Sequence, residues 1–154
     1  MRRQINLEPI REQHCDVLVA IVAHDKVLRK ALGRVRQVQS MTPRDFFEDI
    51  QKWQIDNHAD TYTIRYGKTP IGIISLSHQN GTSARVGYWL TSVEWGKGYA
   101  TEAFSQLVAI ARQTGFTELS ASIDSTNLAS KQLWNMLGAS FERSGDCLTA
   151  ILQI

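Results

Sequence analysis

Cysteine is scarce in this chain of 154 residues: Cys15 and Cys147 are the two present. Two thiols without C-x-x-C spacing give neither a disulfide framework nor a thiolate metal site, so no metal is expected. No apolar run nears the roughly 18 residues that a membrane span requires. No signal peptide opens the sequence, so free thiols in a reducing cytoplasm are the expectation. An excess of one charge is also missing. The 17 Lys and Arg against 15 Asp and Glu leave a net charge of +2, too small to mark a nucleic-acid binder by itself. Repeats, linkers and low-complexity stretches are absent, and one domain over residues 1–154 is expected. Two phosphate signatures are lacking too. There is no G-x-x-x-x-G-K-[ST], and Gly96 and Gly98 lack the third glycine of G-x-G-x-x-G.

What is present centres on Trp95-Gly96-Lys97-Gly98-Tyr99-Ala100. A strand-like run at 86–90 precedes it. Residues 101–114 follow with Phe104, Leu107, Val108 and Ala111 at helical spacing, and Ala103 and Ile110 widen that face. Glycine lets a backbone turn tightly and approach a ligand closely. The first N–H groups of a helix have no intrahelical partner, and the helix dipole adds partial positive charge there. A strand, a glycine turn and a helix start together predict a phosphate site.

The remaining pattern predicts an α/β domain with a mixed sheet. Residues 5–10 read as a strand ending at Pro9. Residues 11–23 place Val17, Leu18, Ile21 and Val22 on one helical face. Residues 24–40 carry Lys26, Arg29, Lys30, Arg34 and Arg36 against Asp25, and Gly33 interrupts their apolar stripe. A frayed helix or a loop is expected there, serving either as a solvated face or as a basic lip for an acidic group. Thr42, Pro43 and Asp45 spell a helix start, and Phe46, Phe47, Ile50 and Trp53 its apolar face. Alternation predicts strands at 62–66, 71–77 and 84–90, the last two joined through Asn80-Gly81. A strand at 118–124 follows the glycine-turn helix, and a crossover of that length favours parallel pairing. Asn127 can cap a helix that buries Ala129, Leu133, Met136 and Leu137 and stops at Gly138. Strands near 141–143 and 148–152 close the chain, which makes four helices in all.

Val86-Gly87-Tyr88-Trp89-Leu90, then WGKGYATEA from Trp95 to Ala103, then Asn127-x-x-Ser130 and Leu137-Gly138 resemble the GNAT superfamily of N-acetyltransferases. Within it the chain is most similar to the branch that acetylates ribosomal-protein N-termini (alanine or serine) and related small substrates. The matching blocks span residues 84–138. The resemblance implies a GNAT-like fold, a mostly antiparallel central sheet with one splayed pair of parallel strands, here 85–91 and 119–124. It implies acetyl-CoA as cosubstrate, its pyrophosphate held by the backbone of Trp95, Gly96, Lys97, Gly98, Tyr99, Ala100 and Thr101. The pantetheine arm would enter the gap and pair with the strand edge at Trp89, Leu90 and Thr91, with Asn127 as a further contact. A backbone N–H beside the thioester would stabilise the developing oxyanion. The implied reaction is transfer of acetyl to a primary amine, a protein N-terminus or a small-molecule amine, by direct attack in a ternary complex. The family pattern usually begins with Gln or Arg where Trp95 stands, a departure that leaves a backbone cradle intact. Homodimers are common in the family. Neither a membrane nor a nucleic-acid partner is expected.

Catalytic positions depart further. Arg85 stands where many relatives carry Glu, and arginine stays protonated and cannot serve as a base. His78, Glu94 and Asp124 remain, with a water relay to solvent as the alternative; imidazole is the side chain generally suited to base work near neutrality. Trp134 replaces a tyrosine that serves as acid in many members. In the branch, the residue matching Ser130 can reach the CoA sulfur, so Ser130 is the candidate donor to the leaving thiolate. Helix capping alone would explain Asn127. Cys15 and Cys147 have no activating neighbour readable in the sequence and are expected to be inert. Two readings outside catalysis stay open. Arg85 and Trp134 motivate a CoA-binding module without transferase activity. The basic segment motivates an RNA- or ribosome-associated binder, against which stand the modest charge and the missing RNA motif.

Overall fold

The computed structural model describes residues 4–32 and 41–154. Seven strands form one sheet in the order β1-β2-β3-β4-β5-β7-β6. They are β1 (Ile5–Pro9), β2 (Ala59–Tyr66), β3 (Thr69–His78), β4 (Ser83–Leu90), β5 (Glu118–Asp124), β6 (Ser140–Ser144) and β7 (Cys147–Gln153). Every neighbouring pair is antiparallel except β4 with β5, which are joined through the crossover helix α4 (Tyr99–Thr114). Helices α1 (Cys15–His24), α2 (Lys26–Leu32) and α3 (Pro43–Asn57) precede β2, and α5 (Leu128–Met136) follows β5.

Local chemistry explains the boundaries. Thr42 Oγ1 accepts the Asp45 N–H at 3.0 Å while the Asp45 carboxylate accepts the Thr42 N–H at 3.3 Å, a reciprocal cap for α3. Asn127 Oδ1 accepts the Ser130 N–H at 3.1 Å and starts α5. The Ser83 N–H bonds to the Asn80 carbonyl at 2.9 Å across the β3–β4 turn.

The described residues hold five helices where four are expected. The additional one, α2, exists because Asp25 breaks α1 with extended backbone and its carboxylate then caps the next turn, accepting the Leu28 N–H at 3.0 Å. Of the expected basic lip, Lys26, Arg29 and Lys30 stand on α2, while Gly33, Arg34 and Arg36 lie outside the described residues. Two helix faces also differ. In α5, Leu133 and Trp134 are buried while Ala129 and Met136 are exposed. The Trp134 ring packs edge-on to Phe104 at 4.8 Å, and the large aromatic area takes the inner face. In α1, Val17 is exposed and Cys15, Leu18, Val19 and Val22 point inward.

The sheet carries a core on each side. Helices α4 and α5 cover one face, where Phe104, Leu107 and Trp134 meet Ile74, Leu76, Val86 and Leu119. Helices α1 and α3 cover part of the other, where Leu18, Phe46, Phe47 and Ile50 surround Ile73 and Trp89. Burying each large apolar side chain is worth about 1.5–3 kcal/mol. Gly72 lets β3 and β4 close up: a Cβ there would sit 2.1 Å from the Trp89 carbonyl oxygen.

Candidate active site

The β4–β5 ladder has three residue pairs, Ser83 with Glu118, Ala84 with Leu119 and Arg85 with Ser120. Beyond Arg85 the two strands separate, which opens a gap in the middle of the sheet. The Thr91 N–H bonds to the Ile71 carbonyl at 2.8 Å. Antiparallel alternation therefore turns the backbone of Trp89 toward β3, and that of Tyr88 and Leu90 toward the gap.

The glycine turn stands at the end of this gap. A 3₁₀ turn, Ser92–Glu94, leads from β4 into it. Gly96 and Gly98 have φ of 75° and 83°, a region that glycine enters without the steric penalty of a Cβ. Among the described residues, the backbone N–H groups from Gly96 through Thr101 have no hydrogen-bond partner. With the positive end of the α4 dipole behind them, they form an anion cradle. Lys97 Nζ adds a cation, 3.3 Å from the Glu94 carboxylate.

Two features hold the cradle in place. The Trp95 indole N–H donates to the Leu90 carbonyl at 2.7 Å, folding the turn back onto the strand end. From the far side, the Asp25 carboxylate accepts the Ser92 N–H at 2.7 Å, the Ser92 hydroxyl at 2.7 Å and the Thr91 hydroxyl at 3.0 Å. Burial pushes the Asp25 carboxyl up, but these bonds and the Leu28 N–H outweigh it and hold the group below the ordinary carboxylate range.

Across the gap, the Ser130 hydroxyl of α5 meets the Tyr88 hydroxyl of β4 at 3.1 Å. Burial pushes the Tyr88 phenol up, and the Ser130 bond offsets part of that rise. The Tyr88 ring leans edge-on against Phe104 at 6.4 Å. Ser130, the cradle and the edge of β4 therefore converge on one gap.

Other expected site residues lie elsewhere or are already engaged. His78 sits at the hairpin end of β3, opposite Ala84, with Nε2 2.8 Å from the Gly81 carbonyl and its ring edge-on to Phe116. That is four residues from Tyr88 along β4, about 13 Å at strand rise, so it is not placed to act as the base. Asp124 accepts the Thr126 hydroxyl and N–H at 2.6 and 2.9 Å, and these bonds hold its carboxyl low. Glu94 faces Lys97. Thr91 is engaged by the fold: its N–H bonds to Ile71, its hydroxyl donates to Asp25 and its carbonyl accepts the Glu94 N–H at 3.0 Å. Trp89 packs under α1 and α3, and the Leu90 carbonyl is taken by Trp95. The Tyr88 edge and the Leu90 N–H are what β4 presents to the gap. Asn127 uses its Oδ1 in the α5 cap. Burial, with help from Asp16 and Glu12, pushes the Cys15 thiol up to about 11, which keeps it inert.

Asp25, which braces the turn, and Tyr88, which meets Ser130, are positions that the sequence reading did not assign. The signal for Asp25 was its place as the acidic residue in a basic run. Tyr88 lay inside the quoted motif without a role.

The site is a strand–turn–helix anion cradle beside a splayed parallel pair. The Acetyltransferase (GNAT) domain family matches residues 4–140, and the chain belongs to that family. An uncharacterized N-acetyltransferase p20 from Bacillus licheniformis is 30% identical over 112 residues, covering 66% of this chain and 59% of that protein. The match thus spans less than two thirds of that relative. Among solved structures, RimL, a ribosomal L7/L12 α-N-protein acetyltransferase in complex with coenzyme A, aligns with a TM-score of 0.83 at 17% identity, over 99% of this chain and 96% of that one. The microcin C7 self-immunity acetyltransferase MccE, in complex with acetyl-CoA and AMP, gives a TM-score of 0.83 at 19% identity, over 99% and 94%.

Proposed function

We propose that this chain transfers an acetyl group from acetyl-CoA to a primary amine by direct attack in a ternary complex. The observation that carries the reading is the run of N–H groups, Gly96 through Thr101, that have no partner among the described residues and open onto the β4–β5 gap. Such a cradle suits a pyrophosphate. The free edge of β4 at Tyr88 and Leu90 suits the amides of an extended arm, and a backbone N–H there suits a developing oxyanion. Acetyl-CoA supplies the activated thioester.

The residues of the chain then divide the work. Ser130 relays to the departing thiolate the proton that Tyr88, hydrogen-bonded to it, supplies in concert, and the phenol regains a proton from solvent, where the amine releases its own. The buried phenol stays protonated and available near neutral pH. Trp134 has no part in this, being fixed in the core against Phe104. Among the described residues no base faces the gap, so the acceptor amine loses its proton to solvent. Turnover should then climb with pH toward the pKa of the acceptor, near 8 for an α-amine. Acceptors worth testing first are a protein amino terminus, as the name of RimL states for ribosomal L7/L12, and a small-molecule amine.

The test is thiol release from acetyl-CoA across a panel of peptides and small amines, beside calorimetric binding of acetyl-CoA. Ser130→Ala should cut kcat by about 100-fold, the lower end of general-acid effects, with acetyl-CoA affinity kept within about twofold. Unchanged kcat removes Ser130 from the chemistry. Binding without turnover of any acceptor would favour the CoA-binding module that Arg85 and Trp134 motivate.

A further inference from the structure

We propose that the acceptor carries an anionic group, a carboxylate or a phosphate, close to its amine, and that Arg85 receives it. The inference rests on the acetyl-transfer reading above and names its substrate class. Arg85 is the last residue of β4 paired with β5, at the root of the gap. By strand alternation it lies on the sheet face opposite α4 and α5, level with Ser77 and Ser120. An amine that attacks from this side must pass the guanidinium.

The guanidinium is available. Its described polar contact is a neutral hydroxyl, Ser122 Oγ, 3.2 Å from Nη2. Among the described residues no carboxylate lies within ion-pair distance of it. Arginine carries five N–H donors in a fixed fork that matches a carboxylate or phosphate edge. Most of that fork is left to solvent or to a ligand.

The surroundings are built for a polar guest. Arg85, Gly87 and Ser122 are exposed and Ser120 lies on the same face, above the buried Ser77 and Ser75, whose hydroxyl donates to the Gly87 carbonyl at 3.4 Å. Helices α1 and α3 pack over Ile73 and Trp89 and leave this part open. Two carboxylates share the face farther along β5, and both are engaged. Glu118 accepts the Gln153 amide at 3.2 Å, and Asp124 holds Thr126. The positive charge has a second consequence. A like charge nearby disfavours the ammonium form of the amine, which helps a site without a base. Gly87 and Tyr88 lie two and three residues past Arg85, about 7–10 Å along the strand. The anionic group should therefore sit several ångströms from the amine, as the side chain next to an amino-terminal residue does.

Three peptides test this, identical except for glutamate, glutamine or phosphoserine after the amino-terminal residue. The wild type should favour an acidic peptide over glutamine by about tenfold in kcat/KM. Whichever acidic peptide leads tells carboxylate from phosphate. Arg85→Gln should bring all three within twofold, Arg85→Glu should reverse the order, and acetyl-CoA affinity should hold in both. If no peptide turns over, calorimetric binding of the three to the CoA complex decides by the same ratios. A wild type that treats the acidic and neutral peptides alike, or an Arg85→Gln variant that keeps the preference, overturns the inference. Failure to bind acetyl-CoA at all would overturn the transferase reading and this one with it; binding without discrimination overturns this one alone.

Discussion

Asp25→Ala should weaken binding at a cradle that the residue does not touch. Its carboxylate accepts the Leu28 N–H, the Thr91 hydroxyl, the Ser92 N–H and the Ser92 hydroxyl at 3.0, 3.0, 2.7 and 2.7 Å. The loss of a helix cap costs about 1 kcal/mol. Bonds to a charged acceptor add about 1.5–3 kcal/mol each, reduced here because water can refill a half-buried site. A total of about 2–4 kcal/mol is reasonable, a fall in Tm of about 5–15 °C for a domain of this size. Without Asp25 the Ser92–Glu94 stem must be ordered by the ligand itself. One residue's worth of ordering, about 1–2 kcal/mol, weakens acetyl-CoA about tenfold. Asp25→Asn keeps an acceptor oxygen but no charge and should lose about half as much. The sign of the pH effect follows from the lowered pKa of Asp25. Its contribution is complete above the ordinary carboxylate value and disappears as pH falls through that value toward the folded one. The alanine variant should lack that acid-limb loss. Differential scanning and titration calorimetry read both quantities. A normal acetyl-CoA affinity in a destabilised Asp25→Ala variant would refute the coupling, and a normal Tm would refute the bond accounting.

Gly98→Ala places a Cβ at φ 83°, at a cost of about 1–2 kcal/mol. That Cβ also projects into the open space before the cradle. Titration should show at least tenfold weaker acetyl-CoA, whereas a normal affinity removes the turn from binding. Gly72→Ala forces a Cβ against the Trp89 carbonyl and should cost at least about 3 kcal/mol in urea unfolding. Burial holds the His14 imidazole below its ordinary value, with Glu8 opposing and Arg65 and Arg11 assisting. Its Nδ1 lies 2.8 Å from the Thr63 hydroxyl and accepts the Arg11 N–H. Stability should thus be complete above about pH 6.5 and fall as pH drops below it, a slope that His14→Gln should flatten. His78→Ala should leave the pH–rate profile unmoved, because the ring serves its own hairpin.

Much of this fold could be read because its signals are local. The bounds of β5 appear in its alternation, the α3 cap in Thr42 and Asp45, and the hairpin in Asn80-Gly81. What could not be read depends on distant partners. The Asp25 carboxylate meets Thr91 across 66 residues, and no periodicity encodes that. Thr91 looked available for a ligand until its three partners were visible. His78 looked like a base until the direction of the splay put it at the closed end. In α5, spacing put Ala129, Leu133, Met136 and Leu137 inward, and contact with the Phe104 ring turned Trp134 in instead. The cradle was legible because its donors are backbone groups, fixed by glycine positions and a helix start rather than by tertiary contact.

The three-rung ladder between β4 and β5 has a mechanical consequence. Past those rungs, the β1–β4 half and the β5–β7 half share no strand pairing, and α4 is the covalent strap between them. A sheet with such a seam can breathe along it while each half stays intact, so the amide hydrogens of Tyr88 and Leu90 should exchange early in the free protein. A guest lying in the seam acts as the missing strand and couples the halves. At a hundredfold excess over Kd it adds about 2.7 kcal/mol to the whole molecule. Release of a spent guest then requires the seam to part again, which makes opening of the sheet a candidate for the slow step of the cycle.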